Sequence, residues 1–148
     1  METHAPLFEI LLVEDNPGDV RLTQEAFRQG RIAHRLSVVS DGEEALSFLR
    51  KTGQYANAPR PDLILLDLGL PKRDGREVLQ DVKNDPELRN IPVVVLTTSD
   101  AEQDIRRAYK FYANSYMIKP VQVDEFLRKI RCLEIFWLKV VRLPHEAY

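Results

Sequence analysis

Five short runs of apolar, largely β-branched residues recur along the chain, and segments with helical spacing lie between and after them. The runs cover residues 9–13, 35–39, 63–66, 93–97 and 115–118. Runs of this length predict strands, and the apolar spacing between them predicts helices. Alternating strands and helices are typical of a parallel sheet with right-handed crossovers. The sequence therefore predicts an α/β fold, with a doubly wound five-stranded parallel sheet and helices on both faces.

Capping residues mark the ends of the predicted helices. Asn16 is expected to cap the first helix, with Pro17 at its first position, where a missing N–H costs nothing. Ser40 or Asp41 is expected to open the second helix, and the third is expected to close near Asp85-Pro86. Apolar spacing predicts a fourth and a fifth helix, at Ile105, Ala108, Tyr109 and Tyr112 and at Phe126, Leu127, Ile130, Leu133 and Trp137.

Composition limits the class of protein. A chain of 148 residues, 44% hydrophobic and 30% charged, has the size and composition of one globular domain. A formal net charge of −2 does not favour a general binder of nucleic acid or of membrane surfaces. No apolar stretch approaches the length of about 20 residues that spans a membrane, and the N-terminus lacks a signal-peptide pattern. With Cys132 as its single cysteine, a soluble cytoplasmic domain is expected.

Polar side chains follow the predicted strands at the edge where ligands bind in sheets of this kind. The first strand ends in Glu14-Asp15 and the third in Asp67, and the last two end in Thr97-Thr98 and Lys119. Neighbouring carboxylates repel unless a cation or a proton compensates them, and an oxygen-only ligand set favours Mg²⁺. A carboxylate beside Mg²⁺ and a lysine is equipped to attack phosphorus while both cations take up oxygen charge.

Four motifs, LLVEDN, LLDLGLP-x₂-DG, VVVLTTS and YMIKP, occur in an order and spacing that resemble the receiver domain of two-component response regulators. The resemblance covers residue 9 to about residue 131. It implies a flavodoxin-like sheet with strand order 2-1-3-4-5. It also implies one receiver domain over residues 1–148, with a core at 9–131 and a C-terminal helix extension and tail at 132–148.

The resemblance implies a role for each residue at the strand ends. A histidine kinase would transfer a phosphoryl group to Asp67. Asp15, Asp67 and the backbone carbonyl of Gly69 would bind Mg²⁺ directly. Glu14 would act mainly through a water molecule, and Lys119 would pair with the phosphoryl oxygens. Asp74-Gly75 is interpreted from the residues as a turn and helix start, not as a ligand.

Two further residues would report the phosphorylated state. The resemblance implies that the Thr97 hydroxyl moves to the phosphoryl group and that Tyr116 changes rotamer. Together they would alter the surface formed by the fourth helix, the fifth strand and the fifth helix. The Lys119-Pro120 bond is expected to be cis, because proline makes that isomer accessible. Such a chain is a signalling protein, and at most it catalyses its own phosphotransfer and dephosphorylation.

A narrower resemblance involves the C-terminal stretch EIFWLKVVRLP and the stretches PRPDLILLDL, KRDGREVL and GQYANAPRP. These are similar to small stand-alone receivers that serve bacterial and cyanobacterial phytochromes. The partner kinase is therefore expected to be a phytochrome. Gly69 departs from this subgroup, which often has Asn there, and Pro120 stands where some members carry Ser.

Residues 133–143 are apolar on nearly every side, which predicts a partner surface. The simplest partner is a second copy of the chain, in a two-fold homodimer with Phe136, Trp137 and Leu138 near its centre. The alternative is a tail that folds back onto its own domain.

Other interpretations of the acids and of the function stay open at the level of sequence. Asp67 alone suits a turn, and Glu14-Asp15 suits the start of a helix. An aspartate-nucleophile phosphatase typically places a second acid two residues after the nucleophile, where this chain has Gly69. A third hypothesis is a non-phosphorylated pseudo-receiver that only binds proteins. Direct binding to DNA would need a further domain.

Overall fold

A computed structural model of the chain describes residues 7–29, 33–70, 74–97, 105–106, 109–110, 113, 115–118, 128 and 132. The helices and strands occur in the order β1 (Phe8–Val13), α1 (Pro17–Gln29), β2 (His34–Val39), α2 (Gly42–Arg50), a 3₁₀ turn (Gly53–Tyr55), β3 (Leu63–Leu66), α3 (Gly75–Asn84), β4 (Val93–Thr97) and β5 (Ser115–Ile118). Residues 105–106, 109–110, 128 and 132 are also helical, within or next to the predicted fourth and fifth helices.

The five strands form one parallel sheet in the order β2-β1-β3-β4-β5, which confirms the predicted fold and strand order. In the register of β1 and β3, Val13 pairs with Leu66. The residues that follow these two strands therefore begin side by side at the same edge of the sheet. This edge is called the C-terminal edge below, and the opposite edge, where the strands begin, is called the N-terminal edge.

Side chains from both faces of the sheet enter separate cores. Alternate residues of β1 point to opposite faces, because a strand has a period of two. Leu11 and Val13 pack in the core beneath α2 and α3, whereas Ile10 and Leu12 pack in the core beneath α1. The four residues of β3 are all at most 1% exposed, as expected for a central strand covered on both faces.

The helix starts agree with the caps expected from the sequence. The Asn16 side chain accepts a hydrogen bond from the Asp19 N–H at 3.1 Å, and α1 begins at Pro17. The Asp41 side chain accepts from Glu44 N at 2.8 Å, so Asp41 rather than Ser40 is the N-cap of α2. These caps place the first turns of both helices at the C-terminal edge of the sheet.

Candidate functional site

Three carboxylates meet at the C-terminal edge of the sheet. Glu14 and Asp15 follow β1, and Asp67 follows the neighbouring strand β3. One carboxylate oxygen from each of the three lies within 4.8 Å of the others. The sequence predicted that these acids lie together, although Asp67 is more than fifty positions along the chain from Glu14 and Asp15. We call Glu14, Asp15 and Asp67 the acid cluster.

Backbone amides hold two members of the acid cluster in place. Glu14 is only 2% exposed, and its Oε2 accepts hydrogen bonds from Asp15 N at 3.1 Å and Asn16 N at 3.3 Å. Asp67 Oδ1 accepts from Gly69 N at 2.9 Å. The Asp67 backbone N–H donates to Val13 O at 3.0 Å, which ties the end of β3 to β1. Asp15 differs because its side chain is exposed.

The donor set of the acid cluster fits a hard divalent cation. All the candidate ligand atoms are carboxylate oxygens, which suit Mg²⁺, Ca²⁺ or Mn²⁺ better than Zn²⁺ or Cu²⁺. Two ligands of one octahedral Mg²⁺ ion are at most about 4.2 Å apart, since each bond is about 2.1 Å. A spread of up to 4.8 Å between the oxygens therefore closes with a small side-chain movement. Gly69 is exposed beside the cluster.

Several residues singled out in the sequence analysis are described only in part. Thr97 is the last residue of β4 and pairs with Ile118 of β5, and Tyr116 pairs with Val95, but only their backbones are described. Lys119 lies outside the described residues, as does the Lys119-Pro120 bond. The residues expected at the dimer interface, Phe136, Trp137 and Leu138, also lie outside them.

Two features of the structure were missed by reasoning from the sequence. One is the close approach of Gly75, at the start of α3, to the backbone of Asp67. Its only signal was the Asp-Gly pair, which was interpreted as a turn. The other is a second pair of acids, Glu9 and Asp62, at the N-terminal edge of the sheet. No motif in the sequence indicated that Glu9 and Asp62 lie close together, because their proximity depends on the register of β1 and β3.

Comparisons with known proteins agree with the fold. Residues 10–131 match the model of the response regulator receiver domain family. The response regulator Rcp1 of Synechocystis sp. is 48% identical over 135 residues, which are 91% of this chain and 92% of Rcp1. The chain therefore belongs to the receiver-domain family of response regulators, as the sequence motifs predicted.

Two solved structures extend the comparison. The phosphorylated cyanobacterial phytochrome response regulator RcpA superposes with a TM-score of 0.92 at 48% identity, over 95% of this chain and 100% of RcpA. The Mn²⁺-bound form of Rcp1 superposes with a TM-score of 0.90 at 47% identity, over 93% of this chain and 99% of that structure. The similarity thus extends over almost the whole of each relative.

Family membership defines the class of function. The chain is a two-component signalling protein similar to phytochrome response regulators, and the partner of such a receiver domain is a histidine kinase. Receiver domains bind a divalent metal ion, and the acid cluster supplies oxygens suited to one.

In the part of the chain that the structure describes, no helix has both the length and the apolar character needed to cross a membrane.

Proposed function

We propose that this chain is a stand-alone response regulator in which Asp67 accepts a phosphoryl group from a phytochrome-type histidine kinase. The observation that carries the proposal is the convergence of Glu14, Asp15 and Asp67 within 4.8 Å at the end of the buried strands. A plain turn residue needs no such neighbours. Three carboxylates this close repel one another unless a cation or a proton compensates them.

Asp67 is the proposed nucleophile. Its carboxylate follows the rigid, fully buried strand β3, and the hydrogen bond from Gly69 N fixes the direction of that carboxylate. A carboxylate oxygen bonds to phosphorus while the phosphorus–nitrogen bond of the kinase phosphohistidine breaks. The leaving imidazole keeps the electron pair of that bond and takes a proton. Asp67 gains the phosphoryl group and becomes an acyl phosphate.

The metal site that we propose uses the same residues. Asp15, Asp67 and the Gly69 carbonyl would hold Mg²⁺ directly. Glu14, whose Oε2 accepts from two backbone amides, would hold it through a water molecule, as its family membership implies. When bound, Mg²⁺ neutralises phosphoryl oxygens and lowers the repulsion that they feel from the acid cluster. Both Mg²⁺ and Mn²⁺ take oxygen ligands. We propose Mg²⁺ because it is the usual partner of transferred phosphates.

Three further residues complete the proposed switch. Lys119 follows β5 directly, so its ammonium would pair with the phosphoryl oxygens. Thr97 ends β4, next to β3, and its hydroxyl would move to the phosphoryl group. Tyr116 would then change rotamer and alter the surface of β5 and its neighbouring helices. These roles rest on position in the sheet and on family membership.

The choice of a phytochrome as the kinase rests on the relatives. RcpA is described as a cyanobacterial phytochrome response regulator, and it matches this chain along almost its whole length. We place the exchange in the cytoplasm and assign the output to protein contacts, with no direct binding to nucleic acid. The only reactions that we assign to the chain itself are phosphotransfer to Asp67 and hydrolysis of the acyl phosphate.

We propose one receiver domain over residues 1–148, with a core at 9–131 and an extension at 132–148 that forms a homodimer. The apolar character of residues 133–143, around Phe136, Trp137 and Leu138, supports this proposal. Sedimentation of wild type at tens of micromolar should show a dimer, and the double variant Phe136→Ala, Leu138→Ala should be monomeric. A monomeric wild type, with or without beryllium fluoride, would contradict the dimer.

Labelling with acetyl phosphate and Mg²⁺ tests the phosphorylation site. Wild type should gain one phosphoryl mass, and Asp67→Asn should gain none because the amide is a poor nucleophile. Asp62→Asn is the matched control, since Asp62 lies at the opposite end of the same strand. Asp62→Asn should label as wild type does. Equal labelling of Asp67→Asn would exclude Asp67 as the acceptor.

A further inference from the structure

Gly75 lies against the backbone of the proposed phosphoryl acceptor. A Cβ atom at position 75 would overlap the Asp67 carbonyl oxygen and would lie 2.6 Å from the Leu68 Cα. Real Cβ atoms essentially never come within 3.0 Å of a heavy atom of a residue that is not a neighbour along the chain. Both partners are backbone atoms, so neither can rotate away. Any side chain at position 75 would therefore force α3 and the segment 67–69 apart by on the order of 1 Å, to reach ordinary carbon contact distances.

Helix α3 provides one of the contacts that hold the segment 67–69. The Gly75 N–H donates to Leu68 O at 3.1 Å. Two further anchors are the hydrogen bond from Asp67 N to Val13 O and the side chain of Leu68, which is 3% exposed in the core. The proposed metal ligands Asp67 and Gly69 lie on either side of Leu68. A shift at the contact with α3 therefore moves the segment that carries both of them.

Helix α3 is fixed by buried side chains and by an N-cap. The core beneath α2 and α3 includes three residues of α3 that are all at most 1% exposed: Val78, Leu79 and Val82. The Asp74 side chain caps the helix by accepting from Arg76 N at 2.7 Å. Because several buried side chains anchor α3, the segment 67–69 takes up at least part of the displacement when the two are forced apart.

We propose that Gly75 is a positioning residue for phosphoryl transfer: its missing side chain lets α3 set the place of Asp67 and of the Gly69 carbonyl. The inference rests on the proposed role of Asp67 as phosphoryl acceptor. Gly75 touches neither phosphate nor metal, and it acts only through the backbone of residues 67–69. An α-carbon without a side chain is required here for close approach, since nothing in the geometry demands a positive φ.

The test compares Gly75→Ala with Val82→Ala. Val82 lies in the same helix, is fully buried, and is far along α3 from the contact with Asp67. Both variants lower stability, but only Gly75→Ala moves the segment 67–69. At a temperature where all three proteins are folded, Gly75→Ala should bind Mg²⁺ about 10-fold more weakly, as altered support of a metal ligand does. Its labelling rate with acetyl phosphate at saturating Mg²⁺ should fall by about 10-fold to 100-fold.

Val82→Ala should stay within about twofold of wild type in both measurements, because a folded core variant leaves the ligand geometry intact. Gly75→Ala values equal to those of Val82→Ala would overturn the role of Gly75 while leaving Asp67 as acceptor. A wild type that neither binds Mg²⁺ nor labels would instead refute the proposed function itself.

A second measurement decides the matter if Gly75→Ala does not fold. Coupling between two sites is reciprocal, so Mg²⁺ binding must tighten the contact with α3 if that contact supports the metal ligands. Because Mg²⁺ stabilises the whole folded state, hydrogen exchange slows at buried amides in general. Exchange of the Gly75 amide in wild type should slow several-fold more than exchange of the Val82 amide. Equal slowing at Gly75 and Val82, in a protein whose Asp67 labels, would overturn the inference.

Discussion

Carboxylates lie close together at both ends of β1 and β3, and their negative charge is compensated in a different way at each end. At the N-terminal edge, Glu9 N donates to Asp62 Oδ2 at 3.0 Å, and Arg35 Nε lies 3.4 Å from Glu9 Oε1. These three residues form a row across β2, β1 and the start of β3, with Glu9 and Arg35 in direct register. At the C-terminal edge, three acids meet, and we propose Mg²⁺ and Lys119 as their compensating cations.

The difference shows how the same residue type serves structure at one edge and function at the other. An arginine from the chain itself and a backbone N–H compensate part of the negative charge at the N-terminal edge, where Glu9 Oε2 is buried without a hydrogen-bond partner. The acid cluster instead combines buried Glu14 with exposed Asp15, which leaves its mouth open to solvent. Carboxylates whose charge is compensated by other groups of the chain are a fixed part of the fold. Carboxylates that require a bound cation can respond to a signal.

The largest expected difference between the edges is in metal affinity. Asp15→Ala removes a proposed direct ligand and should weaken Mg²⁺ binding by at least about tenfold, which is about 1.4 kcal/mol. Glu9→Ala removes an acid that has Arg35 as its partner and should leave Mg²⁺ affinity unchanged. Isothermal titration of both variants measures this. Equal weakening in both would mean that general negative charge, and not a defined site, attracts the ion.

A smaller effect is expected in the pH dependence of stability. Burial raises the pKa of Glu9 from its usual value of 4.5, Arg35 opposes this rise and Asp62 adds to it. The folded state therefore holds the Glu9 proton more tightly than the unfolded state does. The corresponding stability is present at pH values below 4.5 and is lost as the pH rises through the folded-state pKa.

Glu9→Gln removes this titration and sharpens the comparison. The free energy of unfolding of the variant, relative to wild type, should rise by less than about 1 kcal/mol between pH 4 and pH 7, since Arg35 already offsets part of the cost. Urea unfolding at a series of pH values, with Mg²⁺ absent, measures it. A difference that stays constant across this range would show that Glu9 keeps its ordinary pKa.

Strand and helix positions could be predicted because local signals determine them. The apolar runs at 63–66, 93–97 and 115–118 match β3, β4 and β5 residue for residue, and β1 and β2 each begin one residue earlier than expected. The acid cluster was also predictable, since parallel strands bring their C-terminal ends to one edge. The prediction that Glu14 and Asp67 lie close together needs only the strand order and no knowledge of side-chain packing.

Contacts between distant backbones could not be predicted in the same way. The approach of Gly75 to Asp67 depends on how α3 packs in the core, which no short motif encodes. Likewise, Glu9 meets Asp62 because Ile10 pairs with Leu63, a register that the whole hydrophobic pattern sets. Such features become visible only when all the elements are in place.

The central claim is that the acids at the C-terminal edge need a cation and those at the N-terminal edge do not. Unfolding free energies of wild type, Asp67→Asn and Asp62→Asn, each with EDTA and with saturating Mg²⁺, test it most directly. With EDTA, Asp67→Asn should exceed wild type by about 1 kcal/mol, because one repelling charge is gone. Asp62→Asn should stay within about 0.5 kcal/mol of wild type.

At a Mg²⁺ concentration 100 times the dissociation constant, wild type and Asp62→Asn should each gain about 2.7 kcal/mol, because the ion binds only the folded state. Asp67→Asn should gain clearly less, and its advantage over wild type should disappear. An Asp67→Asn variant that is no more stable than wild type with EDTA, together with equal Mg²⁺ gains in all three proteins, would contradict the account.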